Sequence, residues 1–223
     1  MSLDNVIPPE IINDAFYSEL KTAAQRSELK TFLEIGSSSG TGSTQALVDG
    51  LLEREIQDAQ LFCMELSRVR FLNLVNSYEQ YPFVFPYNLS SVQTKDFPSR
   101  EEVTHFYNST KTNLNRYNLE LVLSWLEQDI DYIKTKKLDF CGIDFIKSCN
   151  SIDKFDFVLI DGSEFTGEAE LQHVWGARVI ALDDVNCHKC FAAYVRLLKH
   201  YAYRLVSQDL ELRNGYALFE RAF

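Results

Sequence analysis

The sequence predicts an α/β fold, in which seven strands form a mostly parallel sheet with helices on both faces. Short apolar runs alternate with amphipathic helical segments along most of the chain, which is typical of a parallel sheet covered by helices. Two strand-like segments around Asn214-Gly215 end the chain and predict an antiparallel pair. The sequence has no linker, repeat or low-complexity tract, so we expect one domain over residues 1–223.

Composition limits the classes of function that fit. The 223 residues, 46% of them hydrophobic, are enough for one domain with a full core. A formal net charge of -10 argues against a nucleic-acid partner. No apolar run approaches the roughly 20 residues of a membrane span, and the N-terminus does not resemble a secretory signal. We therefore expect a protein without a membrane partner. Its five cysteines are too few for a disulfide scaffold, so we expect it in the reducing cytoplasm.

The elements follow one another in a regular order. We expect a helical cap over residues 1–30, with a helix opened by Pro8 and Pro9. Helices are then predicted over residues 45–55, 68–80 and 188–200. The seven predicted strands cover residues 31–35, 61–64, 83–85, 155–160, 178–182, 203–207 and 216–220.

The segment of residues 88–150 is longer than one crossover connection requires. Ser99 and Glu102 have the spacing of a capping box, which predicts the start of a short helix. A longer helix is predicted where apolar side chains recur on one face between Leu119 and Ile133. This helical insertion between strands 3 and 4 is either extra scaffold, a dimer face or a substrate lid.

A Gly-Ser loop, FLEIGSSSGTGST, connects the first strand to the next helix. Gly36 and Gly40 permit a tight turn and close approach of the backbone to a ligand. Ser38 stands where a dinucleotide-binding loop has its second glycine, which favours a nucleoside ligand without a pyrophosphate. Glu65 ends the second strand, where a carboxylate can accept both hydroxyls of a ribose.

Three carboxylates follow two later strands. Asp161 ends the fourth strand, and Asp183 and Asp184 end the fifth. If the strands are neighbours, these carboxylates converge, and oxygen ligands favour Mg²⁺, Mn²⁺ or Ca²⁺. One or two of them could instead cap the helices that follow. Cys187 and Cys190 suggest zinc or redox chemistry, but their spacing also fits the buried face of a helix.

Together, these motifs resemble the class I S-adenosylmethionine-dependent methyltransferases, which have a Rossmann-like fold. The likeness is greatest to the metal-dependent macrocin-type and catechol-type O-methyltransferases. It implies a cofactor site made by the first loop, by Glu65 and Asp161, and by Ser90 or Ser91 near the adenine. The first-loop residues are Glu34, Gly36, Ser37, Ser38 and Gly40. It also implies that Asp161, Asp183 and Asp184 hold Mg²⁺.

The sequence departs from that family at the general base. Catechol-type enzymes have a lysine three residues after the first metal ligand, where this chain has Glu164. Macrocin-type enzymes have an acidic base two residues after it, where this chain has Ser163. The candidate bases near the acidic residues are Glu164 and His188.

The functional prediction is a Mg²⁺-dependent O-methyltransferase that uses S-adenosylmethionine. Its acceptor would be a hydroxyl of a sugar or of a glycosylated small molecule, and a homo-oligomer is left open. Two alternatives stand beside it. One is a non-catalytic S-adenosylmethionine-binding or partner module of the same fold, suggested by the missing base. The other is an NAD-dependent oxidoreductase, which would not explain Asp183 and Asp184.

Overall fold

The computed structural model describes residues 3–222, and its centre is a seven-stranded sheet. In chain order the strands are β1 (Thr31–Ile35), β2 (Gln60–Met64), β3 (Val84–Tyr87), β4 (Phe157–Ile160), β5 (Val179–Asp183), β6 (Tyr203–Asp209) and β7 (Tyr216–Arg221). Their order in the sheet is β3-β2-β1-β4-β5-β7-β6, with β7 antiparallel to both of its neighbours. The predicted fold class, including the antiparallel pair at the end of the chain, is confirmed.

Eight α-helices surround the sheet in the described part of the chain. They are α1 (Ala15–Gln25), α2 (Ser43–Leu52), α3 (Arg68–Tyr78), α4 (Arg100–Ser109), α5 (Leu119–Thr135), α6 (Gly142–Asn150), α7 (Gly167–His173) and α8 (His188–Lys199). Short 3₁₀ turns span Thr94–Asp96 and Asn113–Arg116. Among the described helices, none combines the length and apolar character needed to cross a membrane.

The core lies on both faces of the sheet because neighbouring residues of a strand point to opposite sides. On one face, Phe32 and Phe157 pack with the buried side chains of α1 and α2. On the other, Leu33 and Val158 pack with those of α6, α7 and α8. The near-continuous apolar strands of the sequence reflect this double burial.

Between β3 and β4, helices α4, α5 and α6 account for most of the long connection. The capping box of Ser99 and Glu102 begins α4, as predicted, and α5 is the predicted longer helix. Val103, Val122 and Leu126 form a separate buried cluster with Phe165, which follows β4. This cluster fixes α4 and α5 over the edge where β4 ends.

The prediction for the N-terminal helix was wrong at its start. The helix begins at Ala15 rather than at Pro8, because the side chain of Asp14 accepts a hydrogen bond from the Tyr17 amide and caps the first turn. Residues 3–13 have no regular secondary structure, and residues 7–11 lie along a cavity. Helix α6 was not predicted at all, since its nine residues carry only a short apolar pattern.

The order in which strands are added to the sheet changes sides at β1. Strands β2 and β3 lie on one side of β1, and β4 and β5 lie on the other. Such a switch point opens a crevice beyond the carboxyl ends of the strands. The ends of β1, β2, β4 and β5 meet there, so residues that are far apart in sequence come to one edge.

Candidate cofactor and acceptor site

A cavity of about 260 Å³ lies at this edge of the sheet. Seven predicted cofactor-binding residues line it, namely Gly36, Ser37, Ser38, Glu65, Ser90, Ser91 and Asp161. Asp183 and Asp184 line it as well, as do the unpredicted Asp129 and Lys189. Residues 7–11 and Leu3 also line it.

The loop after β1 is shaped by its backbone conformation. Gly36 has φ +91°, and a Cβ atom at this position would lie 2.0 Å from the carbonyl oxygen of Asp161. The loop therefore packs directly on the end of β4, which only glycine permits. Ser38 also has positive φ, and its amide donates a 2.8 Å hydrogen bond to Oε2 of Glu65.

Glu65 is held rigidly at the end of β2. Its Oε1 accepts a second hydrogen bond, 2.6 Å long, from the amide of Ser67. Each carboxylate oxygen can accept more than one hydrogen bond, so Glu65 retains capacity for the two hydroxyls of a ribose. Burial raises the pKa of Glu65, with these amides and Arg70 opposing the effect.

Ser37 also lies along the cavity. Its Oγ is itself buried and has no hydrogen-bond partner among the described residues. The loop after β1 and the carboxylate of Glu65 therefore suit a nucleoside bound at the carboxyl ends of β1 and β2.

Two predicted cofactor residues lie behind the loop rather than on the cavity. Glu34 is fully buried, and its carboxylate accepts hydrogen bonds from the hydroxyls of Ser43 (2.6 Å) and Thr44 (2.7 Å). The positive φ of Gly40 turns the chain, and its carbonyl accepts from the Tyr78 hydroxyl. We assign both residues to shaping the loop, since neither lies among the described residues that line the cavity.

The two serines after β3 make contacts of their own. The Ser90 hydroxyl donates to the carbonyl of Val92 at 2.6 Å, and the Ser91 hydroxyl donates to Oε1 of Glu170 at 2.6 Å. Their position beside the end of β2 leaves them along the cavity wall on the side of β3.

The three acidic residues converge as the strand order requires. Strands β4 and β5 are parallel neighbours, and one ligand atom from each of Asp161, Asp183 and Asp184 lies within 4.8 Å of the others. Asp183 and Asp184 are buried. Three such anions need a compensating charge.

That charge comes from Lys189, in the first turn of α8. Its Nζ lies 2.8 Å from Oδ1 of Asp161 and 2.6 Å from Oδ2 of Asp184, and only 11% of its side chain is exposed. Burial alone would lower the pKa of Lys189, but the surrounding carboxylates raise it well above its ordinary value. The ammonium therefore stays charged at neutral pH.

The turn between β6 and β7 supplies further partners. Nη2 of Arg213 lies 3.1 Å from Oδ1 of Asp183, and the same guanidinium pairs with Asp14. The side-chain amide of Asn214 donates to Oδ1 of Asp184 at 3.0 Å. Although burial opposes it, pairing with Lys189 and Asn214 lowers the pKa of Asp184.

This arrangement does not fit a bound divalent metal. Each of the three carboxylates has a cationic partner, and the ammonium of Lys189 lies between Asp161 and Asp184, where a shared metal ion would have to sit. The chemistry of the oxygen ligands suits Mg²⁺, as predicted. The position of these carboxylate oxygens around Lys189 does not suit Mg²⁺.

The two predicted bases are close to each other but do not belong to the described lining of the cavity. Oε1 of Glu164 accepts from the Lys189 amide at 3.3 Å, so this carboxylate lies at the N-terminus of α8. Nδ1 of His188 lies 3.2 Å from the carbonyl oxygen of Glu164, and its ring packs edge-on against Phe106. Burial raises the pKa of Glu164 to about 7 and lowers that of His188.

Asp129, in helix α5, is the carboxylate that the sequence analysis missed. It lines the cavity, and its Oδ2 accepts a 2.5 Å hydrogen bond from the hydroxyl of Ser163. Burial raises the pKa of Asp129 to about 6, while the Ser163 hydrogen bond opposes this shift. The insertion thus places the carboxylate of Asp129 within hydrogen-bond distance of Ser163. Ser163 is the residue that stands where the resemblance to macrocin-type enzymes implies an acidic base.

The two cysteines of the Cys-x-x-Cys motif belong to the start of helix α8. Cys187 is the N-cap residue and is buried, while Sγ of Cys190 lies 3.7 Å from the carbonyl oxygen of Ile160. Both thiols are free and buried, and Cys190 belongs to the buried cluster on one face of the sheet, in agreement with the helical interpretation of their spacing.

No family model matches the chain, and no curated protein sequence does. Solved structures do match it. An O-methyltransferase from Bacillus cereus in complex with SAH is 14% identical, with a TM-score of 0.55 over 96% of this chain and 84% of that one. Cofactor-bound Rv0187 from MTB is 16% identical, with a TM-score of 0.56 over 98% and 85%. An SAH-bound methyltransferase from Podospora anserina is 13% identical, with a TM-score of 0.51 over 96% and 81%.

The chain therefore has the Rossmann-like fold found in the Bacillus cereus and Podospora anserina methyltransferases, and the resemblance predicted from sequence is confirmed at the level of the fold.

Proposed function

We propose that the protein is an S-adenosylmethionine-dependent O-methyltransferase. The observation that carries this proposal is the cavity at the switch point of the sheet, with Glu65 and the loop after β1 at one end and a charged cluster at the other. The first end suits the nucleoside of the cofactor, and the second suits a polar acceptor. The fold shared with SAH-bound structures supports the same assignment.

When bound, S-adenosylmethionine supplies a methyl group that passes from sulfur to the acceptor oxygen, while the carbon–sulfur electron pair stays on sulfur. The protein's part is to align the acceptor, keep water away and take up the hydroxyl proton. Residues 7–11 line the cavity, and we propose that they help to exclude water.

For the proton we propose Asp129 in preference to Glu164 and His188. Asp129 lines the cavity and is held by Ser163, whereas Glu164 and His188 contact each other beside α8. A carboxylate whose pKa is raised to about 6 remains mostly ionised at neutral pH and is a better proton acceptor than an ordinary aspartate.

The acceptor we propose is a hydroxyl of a sugar or of a glycosylated small molecule. The polar side chains of Asp129, Ser163 and Lys189 along the cavity are in keeping with such a ligand. The predicted magnesium requirement has less support, because Lys189 is paired with two of the three proposed ligands. We therefore propose methyl transfer without a divalent metal.

Calorimetric titration with S-adenosylhomocysteine tests the proposal, with NADH as the comparison ligand. We expect saturable binding of S-adenosylhomocysteine to the wild type and none of NADH. Absence of S-adenosylhomocysteine binding would remove the proposed function, and binding of NADH would favour an oxidoreductase. Binding without methyl transfer to any of a broad panel of hydroxyl acceptors would favour a non-catalytic module.

A further inference from the structure

The acidic cluster of Asp161, Asp183 and Asp184 carries its own cation. We infer that the ammonium of Lys189 is the resident cation of this cluster, that it closes the cluster to divalent metals, and that it is the group that holds the acceptor oxygen. The last part rests on the proposed function, whereas the first two concern only the cluster.

The position of Lys189 in the helix is the first support. Lysine is unfavourable in the first turn of a helix, where the helix dipole is positive, and burial of an ammonium adds a desolvation cost. Lys189 nevertheless lies in the first turn of α8 with 11% of its side chain exposed. Its contacts at 2.8 Å and 2.6 Å with Asp161 and Asp184 compensate for both costs.

The packing of the helix is the second support. Gly167 begins α7, and a Cβ atom there would lie 2.0 Å from the carbonyl oxygen of Lys189. The backbone of α8 at Lys189 is therefore pressed against α7, where no larger residue fits. This contact fixes the origin of the Lys189 side chain and keeps its ammonium at the ends of β4 and β5.

The hydrogen-bonding capacity of the ammonium is the third support. An ammonium has three N–H donors, and Asp161 and Asp184 account for two of them. Lys189 also lines the cavity. One donor therefore remains for an acceptor oxygen, which is the orienting role that a metal ion has in other carboxylate sites.

Titration with Mn²⁺, followed by electron paramagnetic resonance, tests this inference without an acceptor. The proteins compared are the wild type, Lys189→Met, and Lys199→Met, which removes an exposed lysine from the other end of the same helix. We expect no stoichiometric Mn²⁺ site in the wild type or in Lys199→Met. Lys189→Met frees the carboxylates and is expected to bind one Mn²⁺ at least tenfold more tightly than the wild type.

Two results would overturn the inference. One is a stoichiometric Mn²⁺ site in the wild type that is lost in Asp161→Asn. The other is a folded Lys189→Met protein that binds Mn²⁺ no better than the wild type does. If Lys189→Met does not fold, the comparison of wild type with Asp161→Asn still decides. Binding of S-adenosylhomocysteine is measured separately, so its failure would remove the proposed function and leave the conclusion about the cluster intact.

Discussion

The two ends of the cavity are built in different ways. At the cofactor end, the loop after β1 and the carboxylate of Glu65 are joined by backbone amides, including those of Ser38 and Ser67. At the acceptor end, side chains from separate elements, such as Asp161, Lys189 and Arg213, compensate one another's charge. The first end depends on backbone conformation and tolerates little change in shape, whereas the second depends on charge balance.

The largest effect is expected at the acceptor end. Lys189→Met leaves buried carboxylates without their main cation, which costs about 3–5 kcal/mol of stability. Lys199→Met is expected to change stability by less than about 0.5 kcal/mol, because Lys199 is exposed. Urea unfolding of both variants measures the difference. Equal stabilities would show that the cluster does not depend on Lys189.

The next effect is expected at the cofactor end. Gly36→Ala places a methyl group 2.0 Å from the carbonyl oxygen of Asp161 and strains a backbone with φ +91°, at a cost of about 3 kcal/mol. Ser37→Ala, in the same loop, should not lower stability, since it removes a buried hydroxyl that has no partner among the described residues. Thermal unfolding compares the two, and a stable Gly36→Ala protein would contradict the close packing.

A smaller effect is expected on the affinity for the cofactor. Glu65→Gln removes a charged hydrogen-bond acceptor for the ribose, worth about 1.5–3 kcal/mol, so affinity for S-adenosylhomocysteine should fall by roughly 10–100-fold. The matched variant Glu55→Gln, at an exposed position, should bind like the wild type. Calorimetry measures both affinities, and an unchanged affinity in Glu65→Gln would place the ribose elsewhere.

The smallest effect concerns the pH dependence of stability. Burial raises the pKa of Glu164 to about 7 in the folded state, so the folded protein holds a proton that the unfolded chain releases near pH 4.5. This contribution is complete below pH 4.5 and is lost as the pH rises through 7. Between pH 6 and 8 the wild type should therefore lose about 1–2 kcal/mol more than Glu164→Gln.

Urea unfolding of the wild type, Glu164→Gln and Glu101→Gln at several pH values tests this. Glu101 is exposed, and its variant should keep the wild-type slope. A Glu164→Gln protein with an unchanged slope would mean that Glu164 is ionised across this range.

The difference between the two ends also explains what could be predicted from the sequence. The glycines of the loop after β1 and the carboxylate of Glu65 lie within about thirty residues of one another. They have fixed positions relative to the ends of β1 and β2, so the sequence pattern located them. The convergence of Asp161 with Asp183 and Asp184 was predicted on the condition that β4 and β5 are neighbours, which the structure confirms. The N-terminal helix was predicted to begin at Pro8 and Pro9, because prolines are typical of a first helical turn. The N-cap is Asp14, and the helix begins at Ala15.

The partners of the acidic residues could not be predicted in the same way. Lys189 stands between two cysteines in the first turn of a helix, where a lysine normally extends into solvent. Asp129 lies on the same face of α5 as the buried Val122, Leu126 and Ile133, and its partner depends on where the insertion packs. Arg213 follows β6 and reaches Asp183 only because the β6–β7 turn folds back to the end of β5. These are tertiary contacts without a local signal.

A crystal structure of the complex with S-adenosylhomocysteine, grown in Mn²⁺ and measured at the manganese absorption edge, tests the central claim most directly. We predict the ribose hydroxyls on Glu65, the ammonium of Lys189 between Asp161 and Asp184, and no anomalous peak among the three carboxylates. An anomalous peak there, with the Lys189 side chain displaced from Asp161 and Asp184, would contradict this account.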